Sequence, residues 1–205
     1  PETFEIKGVD SNTIAVRALG LPGPDGPDAE IFQEYDVTGK VIVKGGAGND
    51  SITIVSGGST IMADFEVEGG AGNDTIDLSL LGGNAVVRGD EGDDTILTGS
   101  GDDLIFGGAG GEIMIDAGSG NDIVFGDPTE FTGPSLVDTD GDGVGDMPVL
   151  NLVGESKLID GNDTIMGGGD SDILFGGGGT DEVHGGDAAD IIIGDGGRVV
   201  AIVDS

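Results

Sequence analysis

Two patterns of apolar and polar positions divide the chain. In residues 1–43, TFEIKGV (3–9) and NTIAVRAL (12–19) alternate apolar and polar residues, the period of half-buried strands. GLPGPDGPDAE (20–30) breaks that alternation with the Pro and Gly of a loop, and KVIVKGG (40–46) predicts a further strand. Beyond residue 44 the apolar runs shrink to about three residues and become regular. Ile52, Ile76, Ile96, Ile105, Met114, Val124, Ile165, Leu174, Val183 and Ile192 each stand two places after an acid. Alternation sends the middle residue of so short a strand to one face. One such strand cannot bury its residue alone; stacked copies bury a row of them.

The polar residues between these strands repeat as well. GGAGNDSIT (45–53) returns as GGAGNDTID (69–77), and the common unit is Gly-Gly-x-Gly-x-Asp-x-apolar-x. Its sixth place holds Asp50, Asp74, Asp94, Asp103, Glu112, Asp122, Asp163, Asp172, Asp181 and Asp190. The step is nine from Asp94 through Asp103 to Glu112, and again from Asp163 through Asp172 and Asp181 to Asp190. It is 24 from Asp50 to Asp74 and 20 from Asp74 to Asp94. These steps predict a coil of roughly 18 to 24 residues with two turns. Both turns carry the motif in the regular part, and only one does in the first part, where SGGST or LLGGN makes the other side. Glycine permits the positive φ such turns need. Glu112 in place of Asp, with a step of ten to Asp122, predicts a weakened or bulged turn. Asp170 and Ala188 replace the fourth-place Gly, which predicts turns that are looser or bind differently.

Charge gives the repeat its chemistry. The 205 residues hold 40 Asp and Glu against 7 Lys and Arg, a net charge of −33. No Lys or Arg occurs in 89–156 or in 158–197, so internal salt bridges cannot neutralise those stretches. Like charges ~4 Å apart repel by about 1 kcal/mol even in water. Either these stretches are disordered or an external cation orders them; the same charge disfavours nucleic acid and anionic membrane as partners. Calcium is a hard cation that takes six to eight oxygens from carboxylates and carbonyls. Zinc or copper would favour His and Cys, and the chain has one His and no Cys. Gly numbers 44 and apolar residues make up 36%, which suits a narrow core of stacked Ile, Leu and Val. No run is long and apolar enough to predict a membrane-spanning helix. Because it begins at Pro1, the chain reads as an excised piece of something longer.

Over about residues 44–197 the tandem phrase resembles the RTX (repeats-in-toxin) family. The resemblance implies an all-β fold, a right-handed parallel β-roll or β-helix solenoid with calcium between successive turns. The carboxylates it implies as ligands are Asp50, Asp74, Asp94, Asp103, Asp122, Asp163, Asp172, Asp181 and Asp190. Backbone carbonyls of neighbouring glycines would complete the sites: Gly46, Gly48, Gly70, Gly72, Gly99, Gly101, Gly108, Gly110, Gly168, Gly177 and Gly179. It further implies export from a bacterium through a type I secretion channel, with folding outside the cell. On this reading residues 1–43 form an N-terminal β cap, 44–126 a first array, 127–160 an acidic insert, and 161–205 a second array with a terminal strand.

The insert carries DTDGDGVGD (138–146), which places Asp138, Asp140, Asp142 and Asp146 at positions 1, 3, 5 and 9 of an EF-hand-type loop. The stretch also looks like the calcium loops of thrombospondin type-3 and dockerin-like repeats. Val149 stands where the bidentate Glu belongs, and a disordered acidic loop is the alternative to a calcium site here. Asp127 and Asp195, each after a run of motifs, are extra candidate ligands. Phe106, Phe125 and Phe175 share the ninth place; they pack over the roll or against the insert, or form an exposed apolar strip. His184 reads as a surface residue. The chain has no G-x-S-x-G or H-E-x-x-H, and we expect no enzyme. The sequence instead predicts a calcium-binding module that folds on binding the ion, a structural or adhesive part of a larger secreted or cell-surface protein. An accessory module of a secreted enzyme and a carbohydrate-binding module are the alternatives, with neighbouring domains or surface glycans as partners.

Overall fold

The computed structural model describes residues 2–10, 13–19, 33–56, 58–111, 114–126, 135–137, 147–149, 161–194 and 199–200. Glu112, Asp127, Asp195 and the candidate loop ligands Asp138, Asp140, Asp142 and Asp146 lie outside them. Among the described residues there is no helix. In chain order the strands are β1 (Thr3–Asp10), β2 (Thr13–Leu19), β3 (Gln33–Asp36), β4 (Val41–Ala47), β5 (Ser51–Ile54), β6 (Phe65–Ala71) and β7 (Thr75–Asp77). They continue as β8 (Ala85–Glu91), β9 (Thr95–Leu97), β10 (Leu104–Ala109), β11 (Met114–Asp116) and β12 (Ile123–Phe125). Then come β13 (Ser135–Val137), β14 (Met147–Val149), β15 (Thr164–Gly168), β16 (Ile173–Phe175), β17 (Glu182–Gly186), β18 (Ile191–Ile193) and β19 (Val199–Val200).

The chain winds as a parallel β-solenoid. One sheet has the order β17-β15-β11-β9-β7-β5-β1-β2-β3 and the other β19-β18-β16-β12-β10-β8-β6-β4. Successive motif strands therefore alternate between sheets, and each pairs with the strand one coil away. Paired motif aspartates lie 24, 20, 19 or 18 residues apart, the coil lengths that the spacing predicts, except Asp122 and Asp172, which lie 50 apart across the insert.

The core is the space between the sheets. Ile52, Ile76, Ile96, Ile115 and Ile165 stand in register on consecutive strands, and each is 0% exposed. Opposite them lie Phe65, Val67, Val87, Ile105, Val124 and Leu174, also buried. Burying one such side chain stabilises by about 1.5–3 kcal/mol, and every coil contributes from both sheets. One sequence expectation is corrected here: Met114 does not point inward. Met114 pairs with Thr95 and Ile115 with Ile96. Gly110 still stacks on Gly92, yet the residue paired with Ile96 is Ile115 and not Met114, and the alternation of a strand turns that one-residue slip into a change of face.

The start of the solenoid is closed by antiparallel strands. β1 pairs with β2 by antiparallel bonds and with β5 by parallel ones, so that Phe4 and Ile6 oppose Ile52 and Ile54. Ile6 is 1% exposed, and β1 thus takes the place of a coil without any glycine motif. At the other end β19 pairs antiparallel with β18.

The outer faces differ. On the second sheet Lys40 pairs with Glu66, Lys44 bonds Glu68 at 2.6 Å, and the Arg88 guanidinium lies 5.3 Å from the Phe106 ring centre. Phe106, Phe125 and Phe175 then stack with centres 5.2 and 4.6 Å apart. Phe125 is fully buried although it faces away from the core. This rib is therefore packed, which removes the exposed-strip reading for Phe125 and Phe175. His184 is exposed beside Glu182, as expected.

Candidate metal centre

The sixth-place aspartates form two rows, one at the entry to each sheet. Asp50, Asp74, Asp94, Asp163 and Asp181 precede strands of the first sheet; Asp103, Asp122, Asp172 and Asp190 precede strands of the second. All but Asp181, which is half-buried, are buried. Backbone N–H groups of the preceding coil hold most of them inward by donating to Oδ1. Asp50 N–H donates to Asp74 Oδ1 at 2.7 Å and Asp74 N–H to Asp94 Oδ1 at 2.8 Å. In the second row Asp103 donates to Asp122 at 2.8 Å, Asp122 to Asp172 at 2.9 Å and Asp172 to Asp190 at 3.1 Å. Glu2 N–H begins the first row on Asp50. The second row begins at Asp103, which accepts from Ala85 N–H at 2.6 Å. In the earlier coils Phe65 and Ala85 occupy the sixth place instead, consistent with a first part that carries the motif on one side only.

The other carboxylate oxygen decides the chemistry. Oδ2 of Asp50, Asp74, Asp94, Asp103, Asp122 and Asp172 is buried with no hydrogen-bond partner. In the turns of Asp50, Asp74, Asp94 and Asp172 it lies where a Cβ on the first-place glycine of the same turn would be, at Gly45, Gly69, Gly89 and Gly167. That glycine is thus required by space, because only a residue without Cβ leaves room for the oxygen. Burying an ionised carboxylate without compensation costs several kcal/mol.

The predicted carbonyl donors line the same turns. Gly46, Gly48, Gly70, Gly72, Gly108, Gly110, Gly168, Gly177 and Gly179 have φ between 99° and 156°, and Gly99 and Gly101 do not. A Cβ on Gly70 would strike the Gly46 carbonyl, one on Gly72 the Gly48 carbonyl, and one on Gly101 the Gly83 carbonyl. Carbonyl oxygens therefore stack turn on turn, and those of the first-place Gly69, Gly89, Gly107 and Gly185 lie beside the carboxylates of the neighbouring turn. Asp170 (φ 70°) and Ala188 (φ 75°) keep the fourth-place conformation that glycine has elsewhere. Those turns are strained rather than loose, by roughly 1–2 kcal/mol each. Asp90 does the same at a second place (φ 77°).

A further row, not anticipated from the sequence, lies outside the aspartates. Asn49 Oδ1 accepts from Asn73 N–H at 3.2 Å, Asn73 from Asp93 at 3.3 Å and Asp93 from Gly111 at 3.1 Å. Asn84, Asp102 and Asn121 repeat this on the other edge. Here the later coil donates to the earlier one, the reverse of the inner rows. The signal was present: the fifth place reads Asn or Asp in most units.

Among the described residues no three His, Cys, Asp or Glu side chains converge on one point. Side chains alone therefore make no site, and any ion must draw most of its oxygens from the stacked carbonyls. A carboxylate per turn, carbonyls at a fixed repeat and no nitrogen or sulfur donor fit calcium. Without a cation, burial raises the carboxyl pKa values: about 6 for Asp94, Asp103 and Asp172, and about 7 for Asp122, with Asp74 shifted the same way. Raised folded values mean that the ion-free fold binds more protons than the unfolded chain between about pH 4 and 7. Its stability is complete below that window and is lost as pH rises through it. We therefore expect the chelated protein to keep more strand signal at pH 4.5 than at pH 7.5, and calcium to abolish most of that difference.

No curated protein and no solved structure matches the chain. The family model described as the RTX calcium-binding nonapeptide repeat (four copies) matches residues 38–53, 66–79, 81–111, 114–128, 160–192 and 167–199. These segments cover more than half of the chain and contain both aspartate rows. The motif, the solenoid and the matched residues agree: this chain belongs to the RTX calcium-binding nonapeptide repeat family.

Proposed function

We propose that this repeat module is a calcium-dependent structural element of a larger bacterial protein that works outside the cell, in an adhesive or spacer role and without catalysis of its own. The observation that carries the reading is the set of buried Oδ2 atoms without partners beside stacked carbonyls. Low calcium leaves a glycine-rich chain of net charge −33 to order itself against repulsion and conformational entropy. At the roughly 10⁻⁴–10⁻³ M calcium that suits extracellular modules, binding free energy becomes folding free energy. Such a module stays extended where calcium is scarce and stiffens where it is abundant, which fits passage through a secretion channel before folding.

Far-UV circular dichroism through a calcium titration, with magnesium as control, tests this. Strand signal should appear with calcium in that range and be absent with magnesium. Full strand signal in chelator at pH 7.5, or an equal response to magnesium, would contradict it.

A further inference from the structure

The interruption at 127–160 enters the stack at an unexpected point. The solenoid passes it without a break: Ile115 pairs with Ile165, Ile123 with Ile173 and Phe125 with Phe175. The insert therefore does not separate two stacks. It opens a single turn. A Cβ on Gly126 would strike Asp163 Oδ2 and the Gly176 carbonyl, just as one on Gly89 would strike Asp94 Oδ2 and the Gly107 carbonyl. Gly126 thus holds the first place of the turn whose sixth place is Asp163. Gly161 holds the fourth place, since its Cβ would meet the Gly110 carbonyl and a Cβ on Gly179 would meet the Gly161 carbonyl. The remaining bonds are those of an uninterrupted turn. Glu182 N–H donates to the Asp163 carbonyl at 2.8 Å, Asp163 N–H to Asp181 Oδ1 at 3.1 Å, and Thr180 N–H to Asn162 Oδ1 at 2.7 Å.

We propose that this turn is a split cation site, with Gly126 from one side of the insert and Gly161, Asn162 and Asp163 from the other. Resting on the calcium reading above, the ion held there joins the two ends of 127–160. With Gly126 at the first place and Gly161 at the fourth, an unbroken turn would have two residues between them. A two-residue bridge should therefore restore it. Gly126-Gly-Ala-Gly161-Asn162-Asp163 would reproduce the phrase of Gly45–Asp50.

The test replaces 127–160 by Gly-Ala and, separately, by Gly-Ala-Ser, and measures calcium-induced strand signal and melting temperature beside the full chain. Shortening the loop removes closure entropy. The Gly-Ala chain should fold at or below the calcium concentration the full chain needs, and the Gly-Ala-Ser chain should need several-fold more. Equal behaviour of the two bridges, or a Gly-Ala chain needing more calcium than the full chain, would overturn the split turn. Gly126→Ala in the full chain is a second measurement. It should raise the calcium requirement about as much as Gly89→Ala, and no effect would also overturn the proposal. If no chain responds to calcium yet the Gly-Ala bridge melts above the Gly-Ala-Ser bridge, the calcium reading fails while the splice stands.

Discussion

Asp172→Ala should raise the calcium needed for half-maximal folding at least tenfold, while Asp187→Ala changes it less than twofold. Both substitutions remove one negative charge from neighbouring turns, so net charge cannot explain a difference. Asp172 is 1% exposed, its Oδ1 accepts from Asp122 N–H at 2.9 Å, and its Oδ2 lies against Gly167 with no partner. Its loss takes away a ligand oxygen and leaves the buried Asp122 N–H without an acceptor. Orphaning one such group costs about 1–3 kcal/mol, and tenfold corresponds to about 1.4 kcal/mol. Asp187 is an exposed third-place residue. A calcium titration of each variant by circular dichroism gives the comparison, and equal shifts would refute the register assigned to the inner row.

The second large effect falls on a glycine. Gly89→Ala should destabilise the calcium-loaded protein by about 3 kcal/mol, at the upper end of overpacking effects. The added methyl would occupy the site of Asp94 Oδ2 and strike the Gly107 carbonyl. Neither can withdraw: the carbonyl belongs to the next coil's backbone, and Asp94 is completely buried with Oδ1 held by Asp74 N–H. Gly39→Ala is the control, because a Cβ there meets nothing within 4 Å. Thermal melts in excess calcium should separate the two variants clearly. Similar melting temperatures would mean that first-place glycines serve backbone freedom and not the space of the carboxylate.

Much of this architecture was legible before any coordinates. The acid-to-apolar spacing places Ile52, Ile76 and Ile96 in one buried row, and steps of 24 and 20 against paired nines give the coil lengths. Local periodicity carries that information because each unit is a complete turn and strand. What escaped depends on contacts between coils. Counting from Glu112 places Met114 in the core row, whereas pairing with the neighbouring strand puts Ile115 there. β1 bears no motif, so its role as a substitute coil shows only in its pairing with β5. Asn49, Asn73 and Asp93 appear as a row only once their turns are stacked. Gly126 and Asp163 form one turn although the chain between them runs through 127–160, and no local pattern joins them. The need of Oδ2 for a partner is also invisible in sequence: an exposed Asx-turn would show the same letters.

That last point is the one to measure. The most direct test is an anomalous difference map from a crystal grown with calcium, collected where calcium scatters anomalously. Peaks are expected in the stacked turns, between carboxylates such as Asp103 and Asp122, within about 2.3–2.6 Å of aspartate and backbone carbonyl oxygens. The same fold at pH 7.5 with no peaks along either row, its buried carboxylates met only by water or protons, would contradict the calcium reading.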